Sequence, residues 1–353
     1  MGALTLRRSR GFALIVVLML LALMTILATE VLYRQDRFRA RTENLTDWDR
    51  RYQYAIAAEA VAIQALIDDL DHDRERAIMV DDCVDDRWAV RVPPTPYEGA
   101  VLAATVQDLQ GRFNLNSLVT GQGTEFLRDE LARERLAQLL STSLSNPAKA
   151  QRLSHEMADW LDSNNMVDGV EGAEDADYRW RRTPNVPVLH ESELRALLSM
   201  SAEDIPDDRF WNLYSALPIG AKLNINTAPL PVLDAYFATT VGNAGTELIE
   251  RLRTEAAIQS LDDLFNQAPF VALEEELKNQ LREALDVRSS YFQVVVEIEY
   301  NGQRSRLVSR LMRVNEGDTA VYSRQLVPIL GPMPPPCNDF YNQDMLQQAN
   351  NKE

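Results

Sequence analysis

The chain has 353 residues, and its 53 Asp and Glu against 36 Lys and Arg give a formal net charge of -17 at pH 7. A surface this acidic repels phosphate, so nucleic acid is excluded as the main partner and an anionic membrane surface is disfavoured for the same reason. Acidic surfaces instead suit cations. The length leaves room for one large domain or two ordinary ones.

The first predicted element is an uncharged apolar run from Phe12 to Thr29. A helix of about 18 residues that rises about 1.5 Å per residue spans roughly 27 Å, close to the hydrocarbon thickness of a bilayer. We therefore predict a single-pass membrane span over residues 12–32. A secretory signal peptide has a shorter apolar core and small residues before its cut site, which disfavours that interpretation. The basic flank before the run, Arg7, Arg8 and Arg10, places the N-terminal end in the cytoplasm of a bacterium and the C-terminal domain in the periplasm.

The membrane helix is predicted to continue into the next part of the chain. No Gly or Pro occurs between Phe12 and Val92, and apolar residues from Tyr52 to Leu70 recur at three- and four-residue steps. That spacing is typical of one buried helical face. We predict one helix over residues 12–70, with lipid around its first half and a folded domain against its second.

Strand patterns occur in two separate places along the chain. An alternating segment is followed by a predicted turn at residues 93–99, and the pair Asn301-Gly302 predicts a tight hairpin turn. Because the later strands follow one another closely, they are expected to form an antiparallel meander. The predicted strand segments are 88–92, parts of 100–116, 291–300, 306–314 and 319–327.

The residues between the two sets of strands are predicted to be almost wholly helical. A helical block that interrupts a sheet in sequence indicates an insertion, because loop tips accept long excursions at modest entropic cost. The predicted fold class is α+β, with a long N-terminal helix on a small antiparallel sheet and a large all-helical insertion domain. The predicted helices are 124–143, 147–162, 192–200, 207–216, 229–238, 245–253, 261–266 and 273–285. The predicted domains are 71–118 with 288–330 for the α/β body, 119–287 for the insertion and 331–353 for a Pro-rich tail.

The densest group of possible ligands lies in residues 159–178. Like charges this close repel one another unless they are solvated or neutralised by a cation. Calcium takes six to eight oxygens in flexible geometry, and Gly169 and Gly172 would let the chain curl around such an ion. Composition leaves both a calcium site and a solvated acidic loop open. The carboxylates are Asp159, Asp162, Asp168, Glu171, Glu174, Asp175 and Asp177.

Two cysteines, Cys83 and Cys337, lie far apart in sequence. In an oxidising periplasm they could form a disulfide that joins the tail to the start of the sheet region, and two free buried thiols are the alternative. Zinc is disfavoured, because His72, His155 and His190 share no metal-ligand spacing. No catalytic motif such as GxSxG or a P-loop occurs, so we predict that the protein is not an enzyme. A membrane-anchored calcium-dependent hydrolase stays as an alternative, since triads assembled in space leave no sequence motif.

The N-terminal sequence RSRG-FALIVVLMLLALMTILA resembles the class III signal of pilins and pseudopilins. In that family a prepilin peptidase cuts after the Gly, which implies a leader of residues 1–11, cleavage between Gly11 and Phe12, and N-methylation of Phe12. Most members have a Glu as the fifth mature residue, whereas this chain has Val16. The subgroup without this Glu is the K-type minor pseudopilins of type II secretion, which the chain resembles along essentially its whole length.

Two further segments carry the same resemblance. DWLD followed by GAEDADY is similar to the calcium-binding segment of K-type pseudopilins, and residues 223–238 with 258–265 resemble their helix-hairpin-helix, or SAM-like, repeat. Such repeats also bind DNA, but here the turn lacks a Gly-rich cradle and the surrounding carboxylates would repel phosphate. Core packing is therefore the preferred interpretation. The calcium ligands that the resemblance implies are Asp162, Asp168, Glu174, Asp175 and Asp177, with backbone carbonyls.

The resemblance implies a structural function, in which the chain caps the tip of the type II secretion pseudopilus and helps to initiate its assembly. The implied partners are the I- and J-type minor pseudopilins, the major pseudopilin filament, the prepilin peptidase and the inner membrane. In related filaments the fifth-residue Glu neutralises the amino terminus of the next subunit, and Val16 cannot do this. A minor pilin of a type IV pilus would share the leader and is the alternative.

Overall fold

The structure is a computed structural model that describes residues 10–144, 146–205, 208–314, 318–329 and 331–337. Most of the expected leader, residues 1–9, and most of the Pro-rich tail, residues 338–353, lie outside these ranges. The chain divides into two compact units, of which the first ends at Tyr54 and the second begins at Ala55.

The first unit is the N-terminal part of a single helix, α1 (Arg10–Arg76). The large apolar side chains from Phe12 to Tyr33 are all exposed. An 18-residue window of this helix is long and apolar enough to cross a membrane, and none of it is buried within the protein. The Thr25 and Thr29 hydroxyls donate to the carbonyls four residues earlier, at 2.7 and 2.8 Å, so both have partners in a medium without water. These properties fit a single-pass membrane anchor.

The second unit contains the last part of α1 and the helices and strands that follow it. The helices are α2 (Glu130–Leu144), α3 (Pro147–Leu161), α4 (Leu230–Phe237), α5 (Asn243–Glu255), α6 (Leu261–Phe265) and α7 (Glu275–Ala284). The strands are β1 (Val92–Tyr97), β2 (Ala100–Asp108), β3 (Phe113–Asn114), β4 (Val119–Gln122), β5 (Glu125–Arg128), β6 (Tyr214–Ser215), β7 (Leu223–Asn224), β8 (Leu285–Asp286), β9 (Tyr291–Tyr300), β10 (Gln303–Val314) and β11 (Asp318–Val327).

Helix α1 continues six residues past its predicted end at Leu70, because no Gly or Pro interrupts it. It stops where Ala77 adopts a left-handed φ of 56° and the Ile78 amide turns back to the Asp73 carbonyl at 3.0 Å. In the second unit the helix is fixed to the sheet by Glu59, whose carboxylate accepts hydrogen bonds from Ser309 on β10 and Arg324 on β11.

The main sheet is antiparallel, with the strand order β1-β2-β9-β10-β11. The central strand β9 has the predicted bounds, and its apolar side chains are buried on both faces. The predicted strand at 88–92 is wrong, because the strand begins at Val92 and runs through the predicted turn. Proline is tolerated there since β1 is an edge strand, which leaves one row of backbone groups unpaired. The turn lies instead at Glu98-Gly99, where both φ angles are positive.

The residues between β2 and β9 form a largely helical segment with its own apolar core, but it is not all-helical. The predicted helix at 124–143 begins only at Glu130, because β4 and β5 form a hairpin whose Gly121 and Gly123 have positive φ. Two short parallel pairs, β3 with β6 and β7 with β8, also occur here. The predicted helices at 192–200 and 207–216 are short 3-10 segments, Glu191–Ala196 and Asp208–Leu213.

Strands β2 and β9 pair directly, so the segment between them leaves and re-enters the sheet at neighbouring strands. A buried polar network lies at this junction. Asp108, at the end of β2, accepts hydrogen bonds from the hydroxyls of Thr227 and Ser289, each at 2.5 Å, and from the side-chain amide of Asn224 at 3.2 Å. Burial raises the pKa of Asp108 to about 6, although the two hydroxyl donors act in the opposite direction.

Candidate functional site

The acidic segment begins at the end of α3. Asn146 caps this helix by accepting a hydrogen bond from the Lys149 amide at 3.1 Å, and Pro147 occupies its first turn. Asp159 and Asp162 lie one turn apart at the other end, and both side chains are fully buried. The helix therefore directs two carboxylates into the protein rather than into solvent.

Arg128, the last residue of β5, neutralises these carboxylates in the structure. Its guanidinium forms ion pairs with Asp162, with Asp168 at 2.8 Å and with Asp159 at 3.6 Å. No pattern in the sequence indicates this partner, because helix α2 and most of α3 lie between Arg128 and the acidic segment. The β4–β5 hairpin, which the sequence interpretation missed, is the element that brings Arg128 to the site.

His155 is a second positively chargeable group at the site. Its Nδ1 lies 2.7 Å from Oδ2 of Asp168, whereas Arg128 pairs with Oδ1 of the same carboxylate. Burial alone would raise the pKa of Asp168, but the hydrogen bond with His155 and the charge of Arg128 outweigh it, so that the pKa is lowered. Asp168 is therefore ionised at neutral pH.

The other three implied ligands are arranged differently. Asp175 accepts a hydrogen bond from the Thr183 amide at 2.9 Å, and the exposed Asp177 accepts one from the Glu174 amide at 3.0 Å. Glu174 is 3% exposed; its Oε2 accepts from the Thr183 hydroxyl at 2.9 Å, whereas its Oε1 is buried without a hydrogen-bond partner. Asp177 thus closes a local turn, and Glu174 presents an unsatisfied buried oxygen.

The buried carboxylates repel one another despite Arg128. Burial raises the pKa of Asp159 to about 7, with further contributions from Glu174 and Asp162, while hydrogen bonding and Arg128 lower it. Burial and the charge of Asp162 likewise raise the pKa of Glu174. Asp159, Asp162 and Glu174 therefore form one electrostatic group with more negative charge than its protein partners balance.

Gly172 allows the loop to close over this group. A Cβ atom at this position would lie 2.1 Å from Asp159 Oδ2 and 2.8 Å from the Asp168 amide nitrogen, so no larger residue fits without a shift. The carboxylates of the site therefore offer oxygen donors, Glu174 has an unsatisfied buried oxygen, and the backbone approaches closely at Gly172. Oxygen donors in a flexible loop are the ligands that calcium prefers, so the donor set fits this ion.

The segment at 223–228 serves packing in the structure. The Asn226 side chain exchanges hydrogen bonds with the backbone of Ile258, at 2.9 and 3.0 Å, and Arg253 donates to the carbonyls of Ile225 and Ala228. Asn226 and Thr227 are buried. Buried side chains cannot contact a nucleic-acid backbone, so this segment offers phosphate no surface.

The remaining two sequence-derived sites lie outside the acidic segment. Cys83 and Cys337 are joined by a disulfide, with their Cα atoms 5.2 Å apart. Gly11 and Phe12 lie in the first turn of α1, and Phe12 is 72% exposed. The disulfide therefore ties Cys337 covalently to the segment that follows α1.

The chain is similar to known secretion proteins over most of its length. A family model described as "Type II secretion system (T2SS), protein K" matches residues 111–207. The type II secretion system protein K of Pseudomonas aeruginosa is 32% identical over 345 residues, which cover 96% of this chain and 99% of that protein. The Aeromonas hydrophila protein of the same description is 29% identical and covers 90% of this chain and 97% of its own length.

The fold also has a solved counterpart. A chain in the crystal structure of the GspK-GspI-GspJ complex from the enterotoxigenic Escherichia coli type 2 secretion system superposes with a TM-score of 0.68 at 24% identity. The match covers 82% of this chain and 99% of that one. This likeness confirms the predicted mixture of a long N-terminal helix and an antiparallel sheet.

A long helix with an exposed apolar first part, followed by an antiparallel sheet with a large folded segment inserted between two of its strands, is the architecture of the pseudopilin class and fits a single-pass membrane anchor. The similarity to protein K relatives over nearly the whole chain narrows this class to one family. The chain belongs to the type II secretion system protein K family and is a minor pseudopilin of type II secretion. The alternative of a type IV minor pilin is not favoured.

Proposed function

We propose that the chain caps the tip of the type II secretion pseudopilus and helps to initiate its assembly, as a structural rather than a catalytic subunit. The observation that carries this proposal is Val16, which is exposed on α1 where most pseudopilins have a Glu. A subunit without that carboxylate cannot neutralise the amino terminus of a subunit above it, and a tip subunit has none above it. The bulk of the segment between β2 and β9 also fits an end of a helical lattice better than its interior.

The position in the fibre can be tested with a register-specific substitution. Val16→Glu supplies the missing carboxylate and should allow incorporation within the fibre, whereas Val17→Glu adds the same charge at the wrong position of the helix. We expect immunogold label on wild type and on Val17→Glu at one fibre end only, and on Val16→Glu along the fibre. Wild-type copies with neighbours on both sides would contradict the proposal.

We infer that the partners are the I- and J-type minor pseudopilins and, below them, the major pseudopilin filament. The fold match to a chain from the GspK-GspI-GspJ complex supports this inference, as does the row of exposed apolar side chains on α1. The test is affinity purification of the full chain from detergent extracts that also contain tagged I- and J-type proteins. Recovery of both with this chain is expected, and recovery of neither would contradict the inference.

We also propose that a prepilin peptidase cleaves between Gly11 and Phe12 and that the domain after the anchor lies in the periplasm. The apolar α1 and the preceding arginines support this orientation. Replacing Gly11 by Leu should leave a slower-migrating precursor, whereas Ala13→Leu should be processed normally. The N-terminal mass of the purified protein should correspond to methylated Phe12. Normal processing of the Gly11→Leu chain would exclude this cut site.

We propose that the acidic segment binds calcium through Asp162, Asp168 and Glu174, with Asp175, Asp177 and backbone carbonyls as further oxygens. Bound calcium supplies positive charge to carboxylates that Arg128 balances only in part. The unsatisfied Oε1 of Glu174 is the best support. The role of the ion is to stabilise the fold.

Thermal unfolding tests the calcium site. A chelator should lower the unfolding midpoint of the full chain in detergent, and excess calcium should restore it. Glu174→Gln should reduce this calcium-dependent shift, whereas Glu171→Gln, three residues earlier and only half-buried, should retain it. No response of the wild-type midpoint to chelator or calcium would exclude a stabilising site.

We further propose that the helical segment at 119–287 is a SAM-like, helix-hairpin-helix domain used for packing. The packing of α4 against α5 and the buried Asn226 support this assignment. The absence of a catalytic role is supported by His155, which binds a carboxylate that is already paired with Arg128. Limited proteolysis should cut near the predicted boundaries, and duplex DNA at low salt should not bind.

A further inference from the structure

A second acidic cluster lies outside the segment described above, at the end of α1. Two of its carboxylates come from the last turns of the helix and three from the segment that follows, which also holds Cys83. All five side chains are buried. They are Asp69, Asp73, Asp81, Asp82 and Asp86.

Three of these carboxylates converge on one point. One ligand oxygen from each of Asp69, Asp81 and Asp86 lies within 4.8 Å of the others. Calcium binds oxygens at about 2.3–2.6 Å, so two oxygens on the same ion are at most about 5 Å apart. The spacing of the three carboxylates therefore allows all three to bind one calcium ion.

The protein holds two of these side chains in position. Asp81 accepts hydrogen bonds from the Arg313 guanidinium and from the Ser289 amide, both at 2.8 Å. Asp86 accepts from the indole nitrogen of Trp88 and from the Asp82 amide, also at 2.8 Å. Both bonds to Asp86 end on its Oδ2, whereas each Asp81 oxygen accepts one bond. Because a carboxylate oxygen has two lone pairs, these bonds orient the carboxylates and still leave acceptor capacity for an ion.

Asp69 supplies the independent observation that points to a ligand. Its side chain is 3% exposed, and its Oδ2 is buried without a hydrogen-bond partner. A buried carboxylate oxygen without a hydrogen-bond donor is strongly unfavourable unless it is protonated or binds a cation. The geometry thus leaves one unsatisfied oxygen beside two other carboxylates.

The charges around the cluster favour a divalent ion. Asp69, Asp81 and Asp86 carry three negative charges when ionised, and Arg313 offsets one of them. Asp73 and Asp82 lie near these three carboxylates and add further negative charge. Arg76 is a positive neighbour of Asp73 and lowers the pKa of that carboxylate. Burial and then the neighbouring Asp81 raise the pKa of Asp69 to about 7.

We propose that Asp69, Asp81 and Asp86 bind one calcium ion, separately from the acidic segment after α3. The ion joins the end of α1 to the segment that holds the Cys83–Cys337 disulfide and, through Arg313, to strand β10. Its function is to fix the end of the long helix on the sheet. This site depends on neither the proposed tip position nor the proposed calcium site at residues 159–177.

Calcium stoichiometry tests the site directly. The full chain in detergent micelles is stripped with a chelator and dialysed against radioactive calcium, for the wild type and for three variants. Asp69→Asn removes the unsatisfied carboxylate and should lose one bound ion per chain. Asp85→Asn, an exposed carboxylate in the same segment, is the matched control and should lose none. Asp168→Asn in the other acidic segment should retain the ion at Asp69.

A second measurement leaves all the ligands intact. Terbium replaces calcium and emits when a nearby indole is excited, and the Trp88 indole donates directly to the ligand Asp86. Trp88→Phe should therefore remove part of the terbium emission, whereas Trp211→Phe, whose ring packs against Arg195, should not. Unchanged calcium stoichiometry in Asp69→Asn would overturn the proposal and show that protons neutralise the cluster. Unchanged terbium emission in Trp88→Phe would overturn it as well.

Discussion

Replacing Arg128 by Met removes the only guanidinium that the structure places among the buried carboxylates at the end of α3. Asp159 and Asp162 are fully buried, whereas the Arg128 side chain is 19% exposed. Breaking a buried ion pair by removing one partner costs about 3–5 kcal/mol, and partial exposure of Arg128 places this case near about 3 kcal/mol. For a folded unit of roughly 300 residues, with an unfolding entropy of about 2.1 cal/mol/K per residue, that loss lowers the unfolding midpoint by about 5 °C.

The assay is thermal unfolding of the full chain in detergent with a chelator present. Arg304→Met is the matched control, because Arg304 pairs with Glu297 at 3.1 Å on the sheet surface, where ion pairs contribute about 0–1 kcal/mol. Excess calcium should raise the midpoint of Arg128→Met more than that of the wild type, because the ion and the guanidinium compete for the same carboxylates. An Arg128→Met midpoint equal to that of the wild type in chelator would refute the ion-pair reasoning.

Three further predictions concern glycine packing, pH dependence and the disulfide. Gly172→Ala should destabilise the fold by about 1–3 kcal/mol, since its Cβ would meet Asp159, and a midpoint as high as that of Glu171→Ala would contradict this. Because the pKa of Asp108 is raised to about 6 in the folded state, its contribution to stability should fall as pH rises from about 4 to 6. Asp108→Asn should remove about 1.4 kcal/mol per pH unit of that slope in denaturant titrations, and an unchanged slope would contradict the assignment. Cys83→Ser with Cys337→Ser should cost about 2–5 kcal/mol, and equal stability of wild type and double variant without reductant would refute it.

Local patterns predicted several elements well. Strand β9 has the predicted bounds because apolar, β-prone residues make up most of it and Asn301-Gly302 follows it with positive φ angles. Helix α3 begins at the predicted residue because Asn146 and Pro147 form a start signal that depends only on neighbouring residues. The signals for these elements lie within the elements or directly beside them in the sequence.

The conformation of other elements depends on the segments that pack or pair with them in the folded protein. Strand β1 contains prolines that predict a turn, and only its position at the sheet edge makes a strand acceptable. The β4–β5 hairpin lies where helical periodicity continued from α2. Without this hairpin Arg128 would not reach Asp162, and the acidic segment would have been interpreted only as solvated or calcium-bound.

The amino-acid sequence by itself indicated the apolar N-terminal helix, the α+β class and the acidic segment, because these follow from composition or from spacing along the chain. The family was indicated by the resemblance of its motifs to those of K-type pseudopilins. The tertiary structure alone decided which charges meet. Arg128 joins Asp159, Asp162 and Asp168, and Asp69 joins Asp81 and Asp86, only because folding brings distant segments together in a medium where an unpaired charge is costly. Burial and pairing are properties of three-dimensional neighbours, so no pattern along the chain could supply them.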